Sequence, residues 1–137
     1  MKILHLSPLW FPASKDARGG IETFLAQLTE ALVDTGDEIT LIATGDSKTK
    51  AKLLPVVSQN ICDLMQAGLA SEYSYYEQHQ LQLALRHANE FDIIHSHIGV
   101  PVFALSVVAG LRNRVLHTHH DPVYPDLQWF ASRNPSI

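Results

Sequence analysis

Cysteine is almost absent from this chain. Cys62 stands alone, so no internal disulfide forms, and the reading is a reducing, cytoplasmic compartment. Charge is also sparse: Asp, Glu, Lys and Arg make up 18% of the residues and balance to −4. That excludes the basic stripe a general nucleic-acid surface needs, so no nucleic-acid partner is expected. No apolar run is long enough to cross a membrane; Val100 to Leu111 extends over about a dozen residues and falls short. The N-terminus runs straight into a strand with Lys2 as its only charge, so no signal peptide is visible. Neither a GxGxxG fingerprint nor a P-loop with its Lys and Ser/Thr occurs, and there is no internal repeat.

What is present is apolar and periodic. With 137 residues, 46% of them hydrophobic, the chain supports one domain around one core. Lys2 to Ser7, Glu38 to Ala43, Asp92 to Ser96 and Arg114 to Thr118 read as strands, with a weaker one over Leu53 to Val57. The first is apolar without alternation, as expected of a strand buried on both faces. Between them lie helical patterns: Ile21 to Val33, a short one over Asn60 to Gln66, Ser71 to Glu90, Val100 to Leu111 and Tyr124 to Ser132. The first carries an apolar stripe of Ile21, Phe24, Leu25, Leu28 and Leu32, and Gly36 suits the left-handed position after its end. The stripe of the third is Leu81, Ala84, Leu85 and Ala88. Thr44 to Lys52 reads as a mobile polar loop. Alternating strands and helices predict a Rossmann-like three-layer α/β/α fold with a mainly parallel sheet in the order 3-2-1-4-5. Ligands of such sheets bind beyond the strand carboxyl ends where the winding reverses, here between the first and fourth strands.

That crevice receives Gly19-Gly20, which joins the first strand to the first helix. Adjacent glycines allow a tight turn and close approach of a ligand to the backbone. The helix behind them offers unpaired N–H groups and the positive end of its dipole, so Gly19, Gly20 and Ile21 form a candidate phosphate site. The alternative is that the pair only turns the chain. The preceding loop, Pro8 to Arg18, is long and carries Trp10 and Phe11, which either pack beneath it or line an acceptor pocket. Tyr73, Tyr75 and Tyr76 read as packing residues, although a tyrosine cluster also suits a sugar or a partner.

Eight histidines are many for this length, and five fall between His95 and His120. His95-Ser96-His97 and His117-Thr118-His119-His120, with Asp121 beside them, offer enough ligands for zinc. Against a metal, His95 and His97 share a sheet face only if the strand extends that far, and Asp121 is the sole acid placed to activate water. Neutral imidazole also donates one hydrogen bond and accepts another, which suits sugar hydroxyls. On that reading no metal is expected. His5, His95 and His117 lie inside strands and read as core residues, His5 with a hydrogen bond; the direction of His119 depends on where its strand stops.

Gly19-Gly20-Ile21-Glu22, the helix after it, and Gly36 with Glu38-Ile39-Thr40-Leu41-Ile42 together resemble the opening of the family 4-like glycosyltransferases of GT-B fold. Asp92-Ile93-Ile94-His95-Ser96-His97 and Val115-Leu116-His117-Thr118-His119-His120 look like two further pieces of that pattern, and the resemblance runs from Met1 to about Asp126. It implies the N-terminal, acceptor-side half of a retaining enzyme that moves a sugar from a nucleotide diphospho-sugar to a sugar or lipid acceptor, without a cofactor. It places the catalytic role on His120, with His97, His119 and Trp10 about the sugar and Gly19, Gly20 and Ile21 at the donor phosphate. It also implies a second, nucleotide-holding domain with no counterpart in residues 1–137, so the expectation is a truncated single domain, inactive alone. Peripheral membrane contact and a homodimer, through the apolar Val100 to Leu111 helix or the edge strand, complete the expected partners. The alternatives are a non-catalytic α/β binding module, a nucleotide-binding module, and a His-rich metal-dependent hydrolase.

Overall fold

The computed structural model describes residues 1–108 and 110–134. Strands β1 (Lys2–Leu6), β2 (Glu38–Ala43), β3 (Lys52–Pro55), β4 (Ile93–Ser96) and β5 (Val115–His117) alternate with helices α1 (Gly20–Asp34), α2 (Ile61–Gln66), α3 (Tyr73–His87) and α4 (Pro125–Arg133). The strands form one sheet in the order β3-β2-β1-β4-β5, every pair parallel. This is the expected Rossmann-like order, with helices on both faces.

The unbroken apolar strands explain the layers. On one face Leu4, Leu6, Ile42 and Ile94 pack with Leu81, Ala84 and Ala88 and with Val102, Phe103 and Leu105. On the other, Ile3, Ile39, Leu41 and Ala43 lie with Leu32 and Val33 of α1. The register aligns Ile3 with Ile39 and Ile93, then His5 with Leu41 and His95. Hydrophobic rows therefore give way to imidazoles toward the carboxyl ends on the α1 face. Gly36, at φ 96°, closes α1 in the left-handed conformation that its sequence position predicts.

Several local expectations change. On α1 the buried residues are Glu22, Leu25, Ala26 and Thr29, whereas Phe24 is exposed. The small Ala26 and Thr29 turn that side to the sheet, and Phe24 instead overhangs the strand ends. On α3, Gln80 is buried and Leu85 is not. The helix turns so that Gln80 Nε2 donates to Ser7 O at 2.7 Å and Ile42 O at 3.3 Å, satisfying carbonyls at the ends of β1 and β2.

Val100–Val107 is a 3-10 helix where the sequence predicts an α-helix reaching Leu111, and Ala109 lies outside the described residues. Three residues per turn eclipse Val102 with Leu105 and Phe103 with Ser106, all buried, and leave Ala104 and Val107 outside. An apolar segment thus keeps an exposed side, but Phe103 is not on it. Thr44 to Lys52 is not a free loop: Lys48 N–H donates to Ala13 O at 2.8 Å, Ala13 N–H donates to Ser47 Oγ at 2.9 Å, and Thr44 and Ala51 are buried.

Candidate functional site

A cavity of about 880 Å³ opens beyond the carboxyl ends of β1, β4 and β5. Trp10, Ile21, Glu77, His97, His119, His120 and Trp129 are among the residues that line it. Trp10 stacks on Tyr73 with ring centroids 4.1 Å apart and planes within 6°, and Tyr73 Oη accepts the Leu9 N–H at 3.1 Å. Burial pushes the Tyr73 hydroxyl up to about 12, so it stays protonated. Trp10 is fixed beneath by Tyr73 and still 41% exposed, so it is both packed and available. Burial also raises Glu77, whose Oε1 accepts the Gly99 N–H at 3.3 Å.

At the start of α1, Gly19 is the N-cap with φ −91°, and Gly20 is not among the positive-φ glycines. The tight turn is thus made with ordinary extended and helical dihedrals, and no left-handed residue is needed at Gly19 or Gly20. Space decides these positions instead. A Cβ on Gly19 would meet the Glu22 carboxylate and come within 2.8 Å of Phe11, whereas one on Gly20 would meet nothing within 4 Å. Glu22 is buried under this turn, its carboxyl raised by burial and opposed by hydrogen bonds from its own N–H and that of Phe11. The built-in carboxylate takes part of the helix N-terminus, and open space lies beside Gly20.

The histidines divide by sheet face. Extended backbone continues past β4, where His97 N–H donates to Leu6 O at 3.1 Å, so His95 and His97 do share a face, and His5 joins them. Ring centroids are 5.0 Å apart for His5 and His95, and 4.1 Å for His95 and His97. His95 Nε2 lies 2.8 Å from Thr118 Oγ1, and His97 Nδ1 lies 2.9 Å from His120 Nε2. Phe24 covers the latter pair, its ring 5.9 Å from His97 and 5.7 Å from His120. His117 stands edge-on to Phe103 at 4.8 Å, with His119 at 6.2 Å from it. Burial, with the neighbouring imidazoles adding to it, pushes His5 and His117 down to about 4 and His97 to about 2. His95 and His120 are lowered too, mainly by burial. The group is neutral at ordinary pH.

The cavity brings together Trp10, Ile21, His97, His119 and His120, while Gly19 and Gly20 stand outside its lining. Sequence reasoning passed over Glu77, which also lines it, as do Tyr73 and His117, read first as packing and core residues. The spacing of Tyr73, Glu77 and Gln80 at i, i+4 and i+7 is the signal that one polar stripe of α3 faces the strand ends. His5 is fully buried as expected, yet neither ring nitrogen has a partner, which corrects the expected hydrogen bond.

Residues 18–136 match the model of the family described as Glycosyltransferase Family 4. No curated protein matches the chain in sequence. Among solved structures, the C-terminal domain of the coenzyme A biosynthesis bifunctional protein CoaBC superposes with a TM-score of 0.55 at 10% identity, over 97% of this chain and 70% of that one. That likeness is one of fold.

Proposed function

The chain belongs to glycosyltransferase family 4, and from that premise we propose that it forms the acceptor-side half of an enzyme transferring a sugar from a nucleotide diphospho-sugar. The observation that carries this reading is the convergence of Trp10, Ile21, His97 and His120 on one cavity beside the open start of α1. Backbone N–H groups of Gly20 and Ile21 meet the donor diphosphate, where negative charge grows as the leaving group departs. His120, oriented by the hydrogen bond between its Nε2 and His97 Nδ1, offers its remaining ring nitrogen to a hydroxyl of the transferred sugar. His119 lines the same cavity. Trp10 on Tyr73 forms a flat apolar platform for a sugar or lipid acceptor.

The nucleotide itself is held by a second α/β domain, and phosphate contacts alone do not position a donor for reaction. Residues 1–137 by themselves therefore give no steady transfer. No helix among the described residues is long and apolar enough to cross a membrane; where the acceptor is a lipid, the chain meets it at a membrane surface.

Calorimetric titration with UDP, GDP and ADP, and with their sugar conjugates, tests the site. Gly20→Val fits sterically, and by filling the space before the N–H groups it should weaken diphosphate binding roughly tenfold or more. His120→Ala should weaken a conjugate and leave the bare diphosphate unchanged. Diphosphate binding that survives Gly20→Val unaltered means the glycines only turn the chain. Steady sugar transfer by the chain alone overturns the division of labour.

A further inference from the structure

Beneath the cavity, on the α1 face, one ring nitrogen from each of His5, His95 and His97 lies within 4.8 Å of the other two. His5 is fully buried, and both of its nitrogens lack any hydrogen-bond partner. His97 is 3% exposed, and its Nε2 is also without one. A buried polar group left unpaired costs about 1–3 kcal/mol, and such groups in a native fold call for an explanation. A core histidine retained for packing finds a carbonyl or a hydroxyl; His5 has instead two more imidazoles.

The engaged nitrogens sharpen the point. His95 uses Nε2 on Thr118 and His97 uses Nδ1 on His120, so in each ring the other nitrogen is the one open to a ligand. This is how metal-binding imidazoles are held: one nitrogen for the ion, the other fixed by a neighbour that sets tautomer and orientation. No carboxylate belongs to the group, and a site made of imidazoles suits zinc and its late transition-metal neighbours rather than magnesium or calcium.

We propose that His5, His95 and His97 form a binding site for one late divalent transition metal, best matched by zinc, with its fourth position toward the cavity. The expected Zn–N distance of about 2.0–2.1 Å puts tetrahedral nitrogens about 3.4 Å apart, so the rings close in slightly on binding. The ion ties β1 to β4 at the strand ends and fixes His97, and through it His120. This site shares His95 and His97 with the metal alternative of the sequence but takes His5 in place of Asp121 and the second histidine cluster, and it stands independently of the transferase reading.

The test uses the full chain without a histidine tag, stripped by chelator and titrated with Zn(II) and with Co(II) in the absence of nucleotide. The expected result is one ion per chain, tetrahedral Co(II) absorption in the visible, and a zinc-dependent rise in Tm. His5→Gln and His97→Gln should each lower zinc affinity at least about 100-fold, more than the loss of a neighbour that only orients a ligand. His79→Gln, on the exposed face of α3, should change nothing. His97 borders the cavity, so its variant serves where His5→Gln does not fold. Failure of the stripped chain to bind zinc at micromolar concentrations overturns the proposal. So does binding that persists in folded His5→Gln or His97→Gln and is lost in His119→Gln.

Discussion

The two faces of the sheet are made by the same strands and finish differently. On the α3 face, Leu4, Leu6, Ile42 and Ile94 are covered by Leu81, Ala84 and Ala88, with Thr40 and Ser96 as the polar members of the same rows. On the α1 face the row Ile39, Ile3, Ile93 is followed by Leu41, His5, His95, and then by His97. The first face gains from every side chain it buries, at roughly 1.5–3 kcal/mol for a large aliphatic group. The second gives up part of that gain by burying imidazole nitrogens without partners. Aliphatic burial thus dominates the α3 face and the unpartnered nitrogens of His5 and His97 lie on the α1 face, while the cavity draws its lining from both, Glu77 and His117 included.

The largest effect that would sharpen this contrast is on the aliphatic face. Leu6 is fully buried, and Leu6→Ala should cost about 2–5 kcal/mol in denaturant unfolding. A loss below about 1 kcal/mol would show that the α3 face does not carry the stability.

Acid should act on the other face. His5 titrates near 6.5 when unfolded and near 4 when buried, so as pH falls the unfolded state takes up the proton first. Its contribution is intact above about 6.5 and declines toward 4, by up to about 1.4 kcal/mol per pH unit. His97 extends the decline to lower pH, its value being about 2. Unfolding curves of metal-free protein that stay flat from neutrality to about pH 4 would contradict this.

The smallest effect distinguishes the faces most directly. In metal-free protein, His5→Leu removes two unpaired nitrogens from an apolar row and should be neutral or stabilising by about 1 kcal/mol. It should also flatten the acid decline. A destabilisation above about 2 kcal/mol in thermal melts would mean that His5 has a partner in solution.

The strand order was legible because aliphatic runs such as Ile39 to Ile42 leave a parallel sheet little freedom, and Gly36 marked the end of α1. The gathering of Trp10, His97 and His120 followed from the rule that places ligands at a winding reversal. Other features depended on tertiary choices. Phe24 fits the apolar stripe of α1 as well as Leu25 does, and only the small Ala26 and Thr29 decide which side meets the sheet. Gln80 looks like a surface residue until the carbonyls of Ser7 and Ile42 require a donor. Nor does periodicity separate a 3-10 turn from an α-helix when nearly every residue is apolar, as in Val100–Val107. His5 was placed correctly in the core, but its lack of partners depends on β4, about ninety residues later in the chain.

Helix α3 has a mechanical consequence for the cavity. Tyr73 holds the strand β1 loop through Leu9, Glu77 holds the β4 loop through Gly99, and Gln80 grips the ends of β1 and β2. These anchors occur at i, i+4 and i+7, so two loops and the ends of two strands are tied to one rod. The lining contributed by α4 rests on the core through Leu127 and Phe130, the latter stacked on Phe103. The cavity is thus bounded by a hydrogen-bonded frame along α3 and by apolar packing at α4.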